Sequence, residues 1–204
     1  LADADFGFAG GSEIKIKLSY QSIYDEHVYG ELKISSASLS ATTLAALPVA
    51  TSRWYGTWPY TPKDRYSGYD EIFGPEADAQ IDFDKKYEPD QYSWVLVDKV
   101  KDNEVFNGLP AGEKISFAGK RLFAPSAREL EISMGSDDGM QLFLNGEMVF
   151  ENRIDRGANP DQEKVTLSLV QGLNTVVMKI INTGGTGGMY WSQRPPLDEL
   201  SETL

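Results

Sequence analysis

A two-residue alternation of apolar and polar side chains recurs along this chain and constrains its fold more than any other feature. Leu130, Ile132 and Met134 alternate with polar neighbours, and the same period returns in residues 12–20 and 28–35. Successive side chains of a β-strand point to opposite faces, so this period indicates half-buried strands. No segment has helical periodicity beyond a turn or two. The sequence therefore predicts an all-β protein of short antiparallel strands, folded as a sandwich or barrel.

The clearest local signal is a hairpin within residues 140–150. Asn145-Gly146 is the strongest two-residue turn sequence, because both central positions of a type I′ turn need positive φ. Residues 175–181 are apolar enough to predict a strand in the centre of its sheet. The Gly-rich segment 183–188 predicts a flexible loop. Shorter strands are predicted at 92–100, 115–118, 121–124, 165–169 and 189–191.

Charge and composition exclude several classes of function. The chain has 31 Asp and Glu against 19 Lys and Arg, which gives a formal net charge of −12. An acidic surface repels phosphate groups, so neither nucleic acid nor an anionic membrane is an expected partner. The chain has no cysteine and His27 is its single histidine, so a haem attached through cysteine, a zinc site and a Ser–His nucleophile lack support. We therefore expect a protein that is not an enzyme and that carries no organic cofactor.

Residues 49–75 are rich in aromatic side chains among Gly and Pro, with no clean period. Such a segment is expected to be an ordered loop packed on the sandwich, or a binding surface. Flat aromatic faces complement the apolar C–H faces of sugar rings, so these side chains are candidate ligand platforms. For each ring the alternative is burial in the core, where large aromatic residues are usually found. The candidates are Trp54, Trp58, Tyr60, Tyr66 and Tyr69.

Asp137-Asp138-Gly139 is the most pointed candidate for a metal site. Two adjacent carboxylates at a strand edge can ligate Ca²⁺, which takes several oxygen ligands, and the glycine permits a tight turn. A structural Ca²⁺ held by Asp137 and Asp138 is therefore one hypothesis. The alternative is that Asp137 caps a turn through hydrogen bonds to the backbone.

Two further regions supply candidate ligand-binding residues. Arg153 and Arg156 lie in a polar loop, where each can clamp a carboxylate or sulfate bidentately, or can pair with Asp to order the loop. Asn182, Tyr190 and Trp191 flank the Gly-rich segment and can line a groove with it. The alternative for the two aromatic residues is a place in the core as part of the last strand.

A resemblance to a known family spans most of the chain. It rests on residues 135–147, 151–165 and 172–182, the last followed by a Gly-rich segment and an aromatic residue. These segments resemble the galactose-binding-like β-sandwich of planctomycete-type cytochrome c proteins and of some bacterial glycoside hydrolases. The resemblance implies a jelly-roll accessory domain with a carbohydrate-binding role. The Asp137-Asp138 pair is also similar to the pair that holds calcium and sugar in the lectin domains of yeast adhesins.

These observations together predict one jelly-roll sandwich at residues 49–194. Residues 1–48 would be β-hairpin strands and a linker, docked on that sandwich or left from a preceding β unit, and 195–204 an acidic tail. The expected function is non-catalytic binding of polysaccharide or oligosaccharide, which tethers an associated enzyme or redox protein in the periplasm or at the cell surface. The alternative is a structural domain that packs against other domains of the parent protein and has no sugar site.

Overall fold

The computed structural model describes two strands in the first 46 residues, residues 47–88 and residues 92–193. The chain divides into two units, Leu1–Leu47 and Pro48–Leu204. In the first unit, β1 (Glu13–Gln21) pairs antiparallel with β2 (His27–Ser35). This pairing confirms the two strands predicted from alternation. The predicted linker up to residue 46 and the predicted acidic tail lie outside the described residues.

The second unit contains the remaining described strands, which are antiparallel in every pair that the structure describes. They are β3 (Ala50–Thr51), β4 (Tyr55–Tyr60), β5 (Lys86–Tyr87), β6 (Tyr92–Ser93), β7 (Val95–Leu96), β8 (Phe106–Ala124), β9 (Arg128–Asp137), β10 (Gly139–Leu144), β11 (Glu147–Asn152), β12 (Glu163–Leu169) and β13 (Gly172–Gln193). Short 3₁₀ turns lie at Ser67–Tyr69 and Gly74–Ala77.

The long strand β13 connects the two layers of the sandwich. Its first half lies between β10 and β8 in a sheet of order β11-β10-β13-β8-β4-β7. Its last residues, Gly188–Gln193, pair with β9, and β9 pairs with β12. The all-β antiparallel sandwich predicted from the sequence is confirmed, while the jelly-roll connectivity stays a prediction.

The predicted hairpin forms at the predicted turn. Asn145 has φ 52° and Gly146 has φ 85°, so both turn positions have the positive φ that a type I′ turn requires. The turn joins β10 to β11, with a register irregularity between Leu142 and Phe143. The local sequence therefore predicts the turn of this hairpin correctly.

The Gly-rich segment 183–188 is not the flexible loop expected from its composition. It continues β13, with register shifts between Thr183 and Met189 that mark bulges against β8. The Asn182 side chain orders the bulge, because it donates to the carbonyls of Pro110 and Gly185 and accepts from the Gly184 N–H. Hydrogen bonds across the sheet therefore override a local preference for a loop.

Both faces of the central strand β13 are buried, as the apolar run at 175–181 predicts. Val176, Met178 and Ile180 belong to the core between the two layers. Val177 and Ile181 belong to a second core on the opposite face. Alternate residues of a strand point to opposite faces, so the sheet is covered on each side.

The aromatic-rich segment covers the second of these two faces. Its rings pack on β8 and on one another, for example Tyr60 against Phe117 with ring centroids 5.3 Å apart and Tyr60 against Phe73 at 5.4 Å. Such edge and tilted contacts are favourable arrangements for aromatic rings. The segment is therefore an ordered third layer, and it extends to the edge of the sheet where β11 ends. In the ranges that the structure describes, no helix is long and apolar enough to cross a membrane.

Candidate functional site

An open cleft of about 550 Å³ lies where the aromatic-rich segment meets the residues that follow β11. We name it the Tyr66 cleft. One wall comes from the loop after β4 and its 3₁₀ turn, and the other comes from the segment after β11. Its lining residues are Asp64, Tyr66, Ser67, Tyr69, Asp70, Arg153, Ile154 and Asp155.

Tyr66 presents its ring to solvent at this cleft and is 50% exposed. Its hydroxyl donates to Asp155 Oδ2 at 3.0 Å, a hydrogen bond that raises the pKa of Tyr66. The Arg65 guanidinium lies 5.2 Å from the ring centroid and also contacts Asp155. Asp64 accepts from the backbone N–H groups of Tyr66 and Ser67, which fixes the turn that carries the ring. The exposed ring is therefore held at both its backbone and its hydroxyl.

Arg153 links the two walls of the Tyr66 cleft. Its Nη1 and Nη2 atoms donate to Asp70 at 3.1 and 2.6 Å, and its Nε donates to Glu151 at 2.9 Å. These hydrogen bonds lower the pKa of Asp70 and raise the pKa of Arg153. The guanidinium lies 5.0 Å from the centroid of the Tyr69 ring. Arg153 therefore forms the polar network that the sequence offered as the alternative to a free anion clamp.

Tyr69 lies under the Tyr66 cleft with only 6% of its surface exposed. Burial raises the pKa of its hydroxyl. A Cβ atom at Gly139 would overlap the Tyr69 hydroxyl and would lie 2.9 Å from the Asn152 carbonyl oxygen. The glycine of Asp137-Asp138-Gly139 is therefore required for close packing against the floor of the cleft.

Asp138 connects two segments at the base of the cleft through hydrogen bonds. Its Oδ1 accepts from the Arg156 backbone N–H at 2.8 Å, and its Oδ2 accepts from the N–H and hydroxyl of Thr183 at 2.8 and 2.7 Å. The Thr183 hydroxyl is also 3.2 Å from Asp155 Oδ1. These contacts link Asp138 to Asp155, the residue that accepts from the Tyr66 hydroxyl. The peptide bond between Asp137 and Asp138 is cis.

The predicted Ca²⁺ site contains two carboxylates. Ca²⁺ prefers oxygen ligands such as carboxylates, and one ion takes six to eight oxygen ligands in all. Three donors already occupy Asp138, while no described group donates to Asp137, whose pKa is raised by burial and by the neighbouring Asp138. Within the described part of the chain, no three acidic or histidine side chains converge to hold an ion. The side chains of this corner therefore do not by themselves complete a Ca²⁺ site.

Arg156 is part of the scaffold behind the cleft. Its Nη1 donates to Glu163 at 2.8 Å and its Nη2 donates to the Ser136 hydroxyl at 3.1 Å. The Arg156 and Glu163 side chains are only 15% and 17% exposed. This mostly buried ion pair orders the loop after β11, so the arginine is not oriented as a free anion clamp.

Most of the other predicted ligand platforms lie in the core, because the third layer or the opposite layer of the sandwich covers them. Trp54 and Trp191 make an edge-to-face pair with ring centroids 5.6 Å apart, and neither is more than 2% exposed. Tyr60, Tyr190 and Asn182 are also buried, and the partly buried Trp58 packs against the core between the layers. The structure brings Tyr66, Tyr69 and Arg153 together at the cleft. The other six candidates have packing or scaffold positions: Trp54, Trp58, Tyr60, Asn182, Tyr190 and Trp191.

Several residues of the Tyr66 cleft were missed by sequence reasoning. Asp155 lies in the polar loop of Arg153 and Arg156, and Thr183, behind the cleft, begins the Gly-rich segment, yet neither was itself a candidate. Asp70, Asp155 and Thr183 each reach the site through partners distant in the sequence. Asp64 had a usable signal, since an Asp that accepts from N–H groups two and three residues later is a common turn motif.

Two smaller hollows lie on the second unit, one apart from the Tyr66 cleft and one that adjoins it through Tyr69 and Asp70. One of about 360 Å³ is lined by Trp54, Lys120 and Asp102 among other residues. A hollow of about 300 Å³ lies beside Ile72 and Met148. Neither combines an exposed aromatic ring with a converging polar network, so the Tyr66 cleft is the better candidate site.

The fold and the cleft define an all-β sandwich with an open polar and aromatic surface site. No protein-family model matches the chain, and no curated protein matches it either. Among solved structures it is similar to a PA14 sugar-binding domain from an RTX adhesin, with 22% identity over 38% of this chain and 46% of that one, and a TM-score of 0.28. It is also similar to the PA14 domain of the MpAFP antifreeze protein, with 15% identity over 36% of this chain and 40% of that one, and a TM-score of 0.28.

A longer stretch of the chain is similar to part of a β-glucosidase from Kluyveromyces marxianus solved with glucose. The identity is 14% over 70% of this chain and 24% of that one, with a TM-score of 0.39. The matches thus span less than half of each of these three proteins. Likeness at this level establishes no shared ligand or activity.

Proposed function

We propose that this chain is a non-catalytic carbohydrate-binding module that recognises glycans at the Tyr66 cleft. The observation that carries the proposal is the half-exposed Tyr66 ring, fixed through Asp155 above a cleft of about 550 Å³. An aromatic face packs against the C–H face of a sugar ring, while carboxylate oxygens accept from sugar hydroxyls. The cleft is open, as a site for one segment of a long polysaccharide needs to be.

A binding role without catalysis is supported by the state of the carboxylates in the cleft. Glycoside hydrolysis uses two carboxyl groups on opposite sides of the bond, one of them an acid with a raised pKa. Asp70 instead has a lowered pKa because Arg153 donates to it, so it stays ionised and cannot donate a proton at neutral pH. An absence of turnover by the isolated protein on any glycan it binds is the expected result.

The proposal extends to a tethering role outside the cytoplasm. A module that binds polysaccharide raises the local concentration of substrate for an attached enzyme or redox domain. In this proposal the neighbouring domains of the parent protein are the second partner, and the periplasm or cell surface is the location.

The experiment that tests the proposal is a glycan array followed by calorimetry on the best glycan. Tyr66→Ala is expected to weaken binding about ten-fold, because an aromatic contact contributes about 0.5–1.5 kcal/mol beyond its buried area. Tyr66→Phe keeps the ring and is expected to retain most of the affinity. Phe123→Ala, which removes an exposed ring of β8 outside the cleft lining, is the matched control and is expected to bind as the wild type does.

A second candidate function, docking against a neighbouring domain, is favoured by an exposed apolar surface beside the Tyr66 cleft. Ile72 is 83% exposed and Met148 is 54% exposed, and both border the smaller hollow described above. Exposed apolar side chains grouped in this way are typical of interaction surfaces. This function predicts no binding to any glycan on the array, and measurable association with separately produced neighbouring domains that Ile72→Ser weakens.

A Ca²⁺ ion at Asp137 is a further part of the proposal. The oxygen ligands that the side chains lack would come from backbone carbonyls, water or the glycan itself. Calorimetric titration with CaCl₂ after chelation tests this directly, and Asp137→Asn is expected to remove the binding.

A further inference from the structure

The lining of the Tyr66 cleft has more acidic than basic side chains. Among the described residues that line it, Asp64, Asp70 and Asp155 are acidic and Arg153 is the one cation. Asp138 lies directly behind, linked to Asp155 through the Thr183 hydroxyl. The cleft therefore presents a negative field to a ligand, in agreement with the net charge of −12 on the whole chain.

The guanidinium of Arg153 is already saturated by protein carboxylates. Of its five N–H groups, four are used in contacts from Nε, Nη1 and Nη2 to Asp70 and Glu151. A ligand carboxylate or sulfate needs two parallel N–H groups on one edge of an arginine for bidentate recognition. Both edges of Arg153 that offer such a pair are engaged.

Two further arginines, Arg65 and Arg156, contact residues of the cleft or of the loop behind it, and they are engaged to different extents. Arg65 Nη2 contacts Asp155 Oδ2 at 3.3 Å and the Thr183 hydroxyl at 3.4 Å. Arg156 is mostly buried and donates to Glu163 and Ser136. Arg65 is half-exposed and pairs with Asp155 through Nη2 alone, so the lining of the cleft has three carboxylates against one arginine whose N–H groups are already used.

We propose that the Tyr66 cleft selects uncharged glycan segments and rejects segments that carry carboxylate or sulfate groups. This inference rests on the proposed function and specifies the ligand class of the same site. Sugar hydroxyls donate to Asp155 and Asp70, while the C–H face of the ring packs on Tyr66. An anionic sugar would place its charge beside an excess of carboxylates, and such like-charge contacts exclude wrong partners.

Matched pairs of polysaccharides that differ only in charge test the inference. The probes are polygalacturonate against its methyl ester, and dextran, galactan and xylan against their sulfated derivatives, each measured by calorimetry or affinity electrophoresis. Each uncharged member that binds is expected to bind at least about ten-fold more tightly than its anionic partner. The affinity for uncharged glycans is expected to be nearly independent of NaCl concentration.

Charge-removing variants separate electrostatic rejection from shape. Asp70→Asn with Asp155→Asn removes two charges from the cleft and frees one edge of Arg153, so binding of anionic probes is expected to rise about ten-fold relative to wild type. Asp98→Asn is the matched control, because it also removes the acid of an Asp–Arg pair but lies outside the cleft lining. It is expected to leave the selectivity unchanged.

The outcomes distinguish the two proposals. Binding of sulfated or carboxylated probes as tight as that of their uncharged partners overturns the charge selectivity and leaves carbohydrate binding standing. A double variant that still rejects anionic probes shows that shape and not charge excludes them, which also overturns it. Binding to no probe at all overturns the proposed function, and this inference with it.

Discussion

The buried ion pair between Lys179 and Glu76 is expected to be the main anchor of the segment that carries the Tyr66 cleft. The Lys179 and Glu76 side chains are 1% and 7% exposed, and the Nζ–Oε2 distance is 2.5 Å. Lys179 Nζ also donates to the Glu71 carbonyl at 2.8 Å, one residue after Asp70 of the cleft. Lys179 thus ties the third layer to the centre of the sheet.

The expected loss of stability follows from the buried group that each substitution leaves without a partner. Burial raises the pKa of Glu76 and lowers the pKa of Lys179, because each charge is removed from water. Lys179→Met leaves the Glu76 carboxylate buried without its cation, which typically costs about 3–5 kcal/mol. Loss of the hydrogen bond to the Glu71 carbonyl adds about 0.5–1.5 kcal/mol. For a unit of this size the summed change corresponds to a fall in Tm of roughly 7–26 °C.

Urea unfolding followed by tryptophan fluorescence measures the effect, since Trp94 lies in the core that this pair adjoins. The double variant Lys179→Met, Glu76→Leu removes both charges and is expected to recover most of the stability, because a buried pair replaced by apolar side chains is often neutral. Arg53→Met, which breaks an exposed pair with Asp98, is the control and is expected to change stability by less than about 1 kcal/mol. A Lys179→Met loss below 1 kcal/mol, or a double variant less stable than either single variant, would refute the reasoning.

Two further predictions concern the packing and the charges of the cleft. Gly139→Ala is expected to destabilise the protein by about 1–3 kcal/mol in urea unfolding, because its methyl group would displace the Tyr69 ring, whereas Gly184→Ala, where a Cβ meets nothing within 4 Å, is expected to be tolerated. The lowered pKa of Asp70 means that the folded state holds its proton less tightly than the unfolded state does. The stability from this group is therefore present above the ordinary Asp pKa of about 3.9 and is lost as pH falls through the folded value. Asp70→Asn is expected to flatten the acid side of a Tm–pH profile between pH 6 and 2, and an unchanged slope would contradict this.

Much of the strand content could be predicted because the signals are local. Alternation predicted β1, β2, β9 and β12, and Asn145-Gly146 predicted the hairpin through the φ values that its turn needs. The boundaries were less predictable where cross-strand bonds decide them. Two predicted short strands are one strand, β8, and the predicted Gly-rich loop is a bulged part of β13.

The candidate site was predictable only in part, because its contacts join distant segments. Tyr66 and Tyr69 were candidates through their residue type, yet their neighbours in the same segment, Trp54 and Tyr60, are core residues. Composition cannot separate these two groups, since exposure depends on which face of the segment lies on the sheet. Asp70 is 83 residues away from its partner Arg153, and Asp155 is 89 residues away from its partner Tyr66.

The sequence by itself determined the all-β class, the hairpin turn and the strand that is buried on both faces, because periodicity and turn chemistry act over a few residues. Only the tertiary structure decided which aromatic ring faces solvent and which carboxylates neutralise the arginines. Those outcomes depend on the register of β13 against β8 and β10, and on how the aromatic segment packs across the sheet. Such long-range pairing is cooperative, so no short window of the sequence contains it.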